Sequence, residues 1–138
     1  MIEEKIVQKF GNSGHIVVAK EYVGKRIKFI TETKTFNQIK SESLEILTPY
    51  LEHILGVYLY GSYSRNEQTI QSDIDILVIA DIKFKLEVKD YDILIVSAEE
   101  IKKGIEKNPI YSLMINEAKV IINNSLLEEI KKIKFDKK

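Results

Sequence analysis

Cysteine and tryptophan are absent, and there are only two histidines and two prolines among 138 residues. Without cysteine there is no disulfide and no thiolate metal site. His15 and His53 stand alone, with no second histidine at ligand spacing, so both read as structural or surface residues. No charge excess is present either: Lys plus Arg and Asp plus Glu both number 21. The whole-chain charge therefore makes no case for nucleic acid or a membrane surface, although charge can still cluster locally. No apolar run approaches the roughly 20 residues of a membrane span. The start, Met1-Ile2-Glu3-Glu4-Lys5, has no basic region followed by an apolar stretch. A cytoplasmic protein without membrane contact is the expectation. Internal repeats and low-complexity linkers are also missing. A chain of this length favours one domain, or one domain with a small appendage.

The residues present fall into two parts, 1–32 and 33–138. In the first, Ile6, Val7 and Phe10 precede a turn at Gly11-Asn12-Ser13-Gly14, and Ile16-Val17-Val18 forms a second apolar run. Residues 20–25 read as a turn or helical corner. Arg26–Ile30 alternates as a half-buried strand should. Such a β unit has too little apolar surface to stand alone and must pack on the rest of the chain or on a second copy.

In the second part, Phe36, Ile39, Ser43, Leu44 and Leu47 recur at helical spacing over 33–54. Thr35 is the candidate N-cap, and Pro49 disturbs the pattern, so the helix is expected to break or restart there. Strands are expected at Leu55–Tyr60, Asp73–Ile79, Tyr91–Val96 and Lys119–Ile122. Ser97 with Glu100 reads as a capping box for a helix bearing Ile101 and Ile105. Pro109 can open the next helix. Ser125 with Glu128 reads as the capping box of a last helix, followed by a frayed Lys137-Lys138 tail. Fold class is therefore α+β: a mixed sheet with flanking helices, preceded by a small N-terminal β-hairpin unit.

Chemistry concentrates between the first two strands of the second part. Asp73 and Asp75 are two apart, so both side chains face one way. Two carboxylates that close repel each other, and a divalent cation removes the penalty. Mg2+ suits one or two carboxylates with phosphate oxygens and water. A third acid on an adjacent strand would complete a site for two ions; Asp92 is the candidate, with Asp90 as the alternative. One ion would activate an attacking hydroxyl and the other would neutralise the phosphates and the leaving pyrophosphate. Gly61 lets the backbone approach a phosphate, and the Ser62 hydroxyl can donate to one. If 62–66 forms a helical turn, its free N–H groups also face the phosphates. Arg65 suits a phosphate or a neighbouring acid. Tyr58, Tyr60 and Tyr63 could stack on a base, but such tyrosines are more often core or cleft-wall residues. Gly-Ser at a strand end and Asp-x-Asp are each common alone. Their ordered combination with a later strand Asp is much rarer.

The segment Gly61-Ser62-Tyr63-Ser64-Arg65-Asn66-Glu67 through Ser72-Asp73-Ile74-Asp75-Ile76-Leu77-Val78 resembles the signature of minimal nucleotidyltransferases of the DNA polymerase β superfamily, over roughly residues 36 to 135. The resemblance implies transfer of NMP from an NTP, with ATP as default donor, to an acceptor hydroxyl. It places Gly61 and Ser62 on the triphosphate, Asp73 and Asp75 on Mg2+, and Asp92 as third acid, assisting the hydroxyl. It also implies a possible HEPN-type protein partner, with the chain acting as its antitoxin. Asn66 stands where this family often has Gly.

Phe10-Gly11-Asn12-Ser13-Gly14-His15-Ile16-Val17-Val18-Ala19-Lys20-Glu21 resembles the AbrB/MazE-like swapped-hairpin families, with Ala19 where Pro is usual. A short archaeal variant of them ends in a segment similar to Val23-Gly24-Lys25-Arg26. The resemblance implies a homodimer made by intertwining hairpins. Lys20, Lys25, Arg26 and Lys28 form a local basic patch opposed by Glu21 alone, suited to DNA phosphates or to blocking edge aggregation. The alternative to an enzyme is thus a dimeric DNA-binding, antitoxin-like regulator with a catalytically degenerate nucleotidyltransferase fold.

Overall fold

The computed structural model describes residues 2–135. It divides into two compact units, Met1–Thr31 and Glu32–Lys138. In the first unit, β1 (Gln8–Phe10) and β2 (Ser13–His15) form an antiparallel hairpin in which Phe10 pairs with Ser13. The loop is therefore two residues, Gly11-Asn12. Gly11 has φ +58°, and a positive φ at the first central position alone is the II′ pattern that suits the strand twist. The ring of His15 meets Phe10 edge-on at 5.2 Å. A single 3-10 turn follows at Lys20–Tyr22.

The expected strand at Arg26–Ile30 does not form, and the second hairpin strand ends at His15 rather than running through Ile16–Val18. Alternation marks a segment able to line a sheet, but a ladder also needs a partner, and the described single chain offers none. Phe29 and Ile30 are 82% and 90% exposed, so the half-buried reading is corrected too. No described residue of this unit is buried.

The second unit begins with α1 (Phe36–Leu47). The Thr35 hydroxyl accepts from Gln38 N, and the Gln38 side chain accepts from Thr35 N at 2.8 Å, a reciprocal cap. Ile39, Ser43 and Leu47 are buried at a spacing of four, giving the helix one inner face. Pro49 lies in the first turn of a 3-10 segment, Thr48–His53, so the helical pattern restarts there as expected.

Four strands form the sheet: β3 (Ile54–Tyr60), β4 (Ile74–Ala80), β5 (Tyr91–Val96) and β6 (Lys119–Ile122), in the order β5-β4-β3-β6. β3 runs antiparallel to β4 and β6, whereas β4 and β5 are parallel. The remaining helices are α2 (Ala98–Lys107), α3 (Pro109–Glu117) and α4 (Asn124–Phe135). The period-two alternation of the strands divides the core between two faces. Val57, Leu59, Ile74, Ile76 and Val78 pack with Ile39 and Leu47 of α1. Tyr58, Leu77, Ile79 and Val96 pack with Ile101, Met114, Ile115, Leu127 and Ile130 of the other helices.

Caps fix the ends of those helices. Ser97 Oγ accepts from Glu100 N, and Asn108 Oδ1 accepts from Ile110 N at the start of α3. The cap of α4 differs from the expected Ser125–Glu128 box. Asn123 Oδ1 accepts from Leu126 N, and the helix starts at Asn124. Asn123 also donates to Leu55 O at 2.7 Å, and its own carbonyl accepts from Tyr58 Oη at 2.8 Å. Those tertiary bonds select Asn123 over Ser125. Lys137 and Lys138 lie outside the described residues. Among the described residues, no helix is long and apolar enough to cross a membrane.

Candidate active site

The strand register brings the acids together. Tyr60, at the end of β3, is opposite Asp75 on β4, and Asp75 is beside Asp92 on β5. Asp73, immediately before β4, shares their face by the same alternation. This is the face that Leu77 and Ile79 bury under α2, α3 and α4, so the acids occupy its end. Asp90 is in a different setting. It has φ +70° at the corner before β5, and its carbonyl accepts from Ile74 N.

Gly61 follows Tyr60 with φ +77°. A Cβ there would lie 2.1 Å from Asp75 Oδ2. Glycine is therefore required twice: by the left-handed backbone and by the carboxylate against it. From Gly61 the chain turns back on itself. Gly61 O accepts from Ser64 N, Ser64 Oγ and Arg65 N, and Ser62 O accepts from Glu67 N. This is a hydrogen-bonded turn, not a helix. Asn66 takes φ +59° within it, a conformation that Asn accepts more readily than most residues. The Ser62 hydroxyl has no hydrogen-bond partner among the described residues.

Glu117, the last residue of α3, closes the other side. Gly61 N donates to Glu117 Oε1 at 2.8 Å, and Arg65 Nη1 donates to Glu117 Oε2 at 2.8 Å. The Glu117 side chain is only 12% exposed. Arg65 also pairs with Glu67. Of the two partners the sequence allowed Arg65, the structure supplies the acid. Glu117 had no place in the sequence reading. Its one signal is an acid in the last turn of a helix, where the macrodipole disfavours negative charge.

The electrostatics follow from this packing. Burial pushes Asp75 up from 3.8 to about 6, with Asp92, Asp73 and Glu117 adding repulsion and Arg65 opposing it. Burial, then Asp75, Asp92 and Glu117, push Tyr60 up to about 12. Tyr58 is likewise raised to about 12, by burial in the core. Among the described residues, no three acids or histidines converge closely enough to form a ready-made metal cage. The donor chemistry nonetheless fits a hard cation: the donors are carboxylates only, and burial with the neighbouring acids pushes Asp75 up. Mg2+ needs few protein ligands, because phosphate and water complete its shell.

Other sequence candidates lie elsewhere. His53 Nδ1 contacts Asp81 Oδ1 at 3.1 Å. Tyr63 packs on the α1 side of the sheet. A cavity of about 540 Å³ is lined by Phe84, Leu86, Ile93 and Ile95, on the sheet face opposite Asp92. In the first unit Lys20, Lys25, Arg26 and Lys28 are exposed.

Residues 40–138 match the family model described as "Nucleotidyltransferase domain". The chain belongs to that family. Two relatives of this nucleotidyltransferase domain come from Methanocaldococcus jannaschii. "Putative protein adenylyltransferase MJ0128" is 40% identical over 70 residues, covering 46% of this chain and 71% of the relative. "Putative protein adenylyltransferase MJ0126" is 34% identical over 102 residues, covering 64% and 99%. Among solved structures, a toxin–antitoxin crystallised with AMP-PNP aligns with a TM-score of 0.47 and 17% identity, over 70% of this chain and 82% of that one.

Proposed function

We propose that this nucleotidyltransferase domain transfers AMP from ATP to a hydroxyl of a protein acceptor. The observation that carries the reading is the in-register pair Asp75–Asp92 beside the Gly61 turn. One strand end would hold phosphates while the next two strands present acids to the same place. Its relatives' names support a protein acceptor, and the resemblance of the signature supports a HEPN-type partner in that role. Asp73, Asp75 and Asp92 would hold Mg2+. One or two bound ions would neutralise phosphate charge and polarise the reacting oxygens. The chain's own residues do the rest. Gly61 and Ser62 orient the triphosphate, and Arg65 would reach a phosphate oxygen by exchanging its Glu117 contact for it. Asp92 accepts the proton of the acceptor hydroxyl. That oxygen bonds to the α-phosphorus, the α–β bridging P–O bond breaks, and pyrophosphate leaves with the electron pair.

The test uses ATP labelled at the α- or at the γ-phosphate, Mg2+ and a co-purified HEPN-type protein. Label on protein from the α-position alone is the expected result. Label from the γ-position would mean phosphoryl transfer and would overturn the reading.

The first unit favours a second, compatible role. Its hairpin buries no described residue, and Phe10, Val17, Val23 and Phe29 are all exposed. A second copy of the hairpin would cover such a surface, in the swapped dimer the resemblance implies. The basic residues Lys20, Lys25, Arg26 and Lys28 would then face DNA phosphates from both copies. Light scattering should give twice the chain mass, falling to a monomer when residues 1–32 are removed. A gel shift on the protein's own upstream DNA should weaken with salt. Monomeric full-length chain would remove the dimer, and salt-independent binding would remove the phosphate contacts.

A further inference from the structure

We propose that Glu117 is an internal anion occupying the phosphate donors of the nucleotide site, and that an incoming triphosphate displaces it. The inference rests on the donor-site reading above. Two donors of the Gly61 turn, the Gly61 N–H and the Arg65 guanidinium, are directed at one carboxylate, each at 2.8 Å. A carboxylate bridging a backbone N–H and an arginine makes the contacts a phosphate would make in the same place.

Among the described residues, no other hydrogen bond or ion pair to the Glu117 carboxylate favours a negative charge there. Glu117 ends α3, where the helix dipole repels it. It also adds to the repulsion on Asp75. The 12% exposure of its side chain means it has given up most of its water. The two loop donors are what offset these penalties. A triphosphate offers the same donors more negative oxygens, and the released Glu117 regains hydration. The contact therefore keeps the turn folded while the site is without nucleotide, and sets a threshold that weak anions do not pass.

The experiment compares wild type with Glu117→Gln by calorimetric titration, using Mg·ATP and, separately, tripolyphosphate. Glutamine retains an acceptor for the Gly61 N–H, so the turn keeps one of its bonds, and a thermal melt checks the fold. The expected result is roughly tenfold tighter binding of both probes to Glu117→Gln. Glu117→Ala should tighten binding in the same direction if it folds. If wild type binds Mg·ATP and Glu117→Gln binds it equally or more weakly, Glu117 supports the loop instead, and this inference fails alone. Tightening for ATP but not for tripolyphosphate would assign the effect to the nucleoside and overturn it as well. If neither protein binds either probe, the donor-site reading falls and takes the inference with it.

Discussion

Replacing Asp75 by Asn should stabilise the nucleotide-free protein at neutral pH while destroying the site. Asp75 is raised from 3.8 to about 6 by burial and by Asp92, Asp73 and Glu117. A shift of about two units corresponds to about 3 kcal/mol at 1.36 kcal/mol per unit. Solvent screening of a partly exposed carboxylate lowers this to about 1–2 kcal/mol. The sign follows from proton counting. A carboxyl whose folded pKa lies above its unfolded value holds more protons when folded. Its contribution is full below about pH 4, and stability is lost as pH rises to about 6. Asparagine cannot ionise, so it escapes that loss. Urea unfolding should show equal stability near pH 4, with Asp75→Asn ahead by about 1–2 kcal/mol near pH 7.5. Millimolar Mg2+ with ATP should then stabilise wild type and not the variant. A variant less stable than wild type near pH 7.5, or a gain of the same size at both pH values, would refute the argument that burial and the neighbouring acids disfavour the charged form of Asp75.

Two further substitutions probe the geometry around this site. Gly61→Ala places a Cβ 2.1 Å from Asp75 Oδ2 at φ +77°. It should cost about 2 kcal/mol or more and abolish Mg·ATP binding; a melt and an affinity close to wild type would show that the carboxylate is free to move away. Asn123→Ala removes the cap on Leu126 N and the bond to Leu55 O, and forces alanine to φ +73°. A loss of about 2–3 kcal/mol in urea unfolding is expected. A loss below about 0.5 kcal/mol would mean that Ser125 takes over the cap.

The elements around this site were legible to different degrees, for physical reasons. Val57 and Leu59 face one side of β3 and Tyr58 and Tyr60 the other, and the short apolar runs located β3, β4 and β5 to within a residue. Thr35 and Ser97 cap where hydroxyl chemistry says they should. Asp73 and Asp75 were readable because their relation is local. That Asp92 is the register neighbour of Asp75 depends on β4 and β5 being adjacent and parallel, which no spacing encodes. Glu117 carried only the weak signal of an acid in the last turn of a helix: it lies 56 residues from Gly61, and its meaning comes from where α3 ends. Asn123 and Ser125 are both good caps, and only the long-range bonds to Leu55 and Tyr58 decide between them. Arg26–Ile30 misled because alternation describes a surface, whereas a strand also needs a neighbour.

The most direct test of the account is calorimetric titration of ATP with Mg2+ into wild type and into the Asp73→Asn/Asp75→Asn double variant, each confirmed folded. No acceptor has to be known. The account predicts binding to wild type that requires Mg2+ and is lost in the double variant. Equal binding by both proteins would contradict the assignment of the metal to these acids. No binding by wild type would contradict a working donor site in this chain.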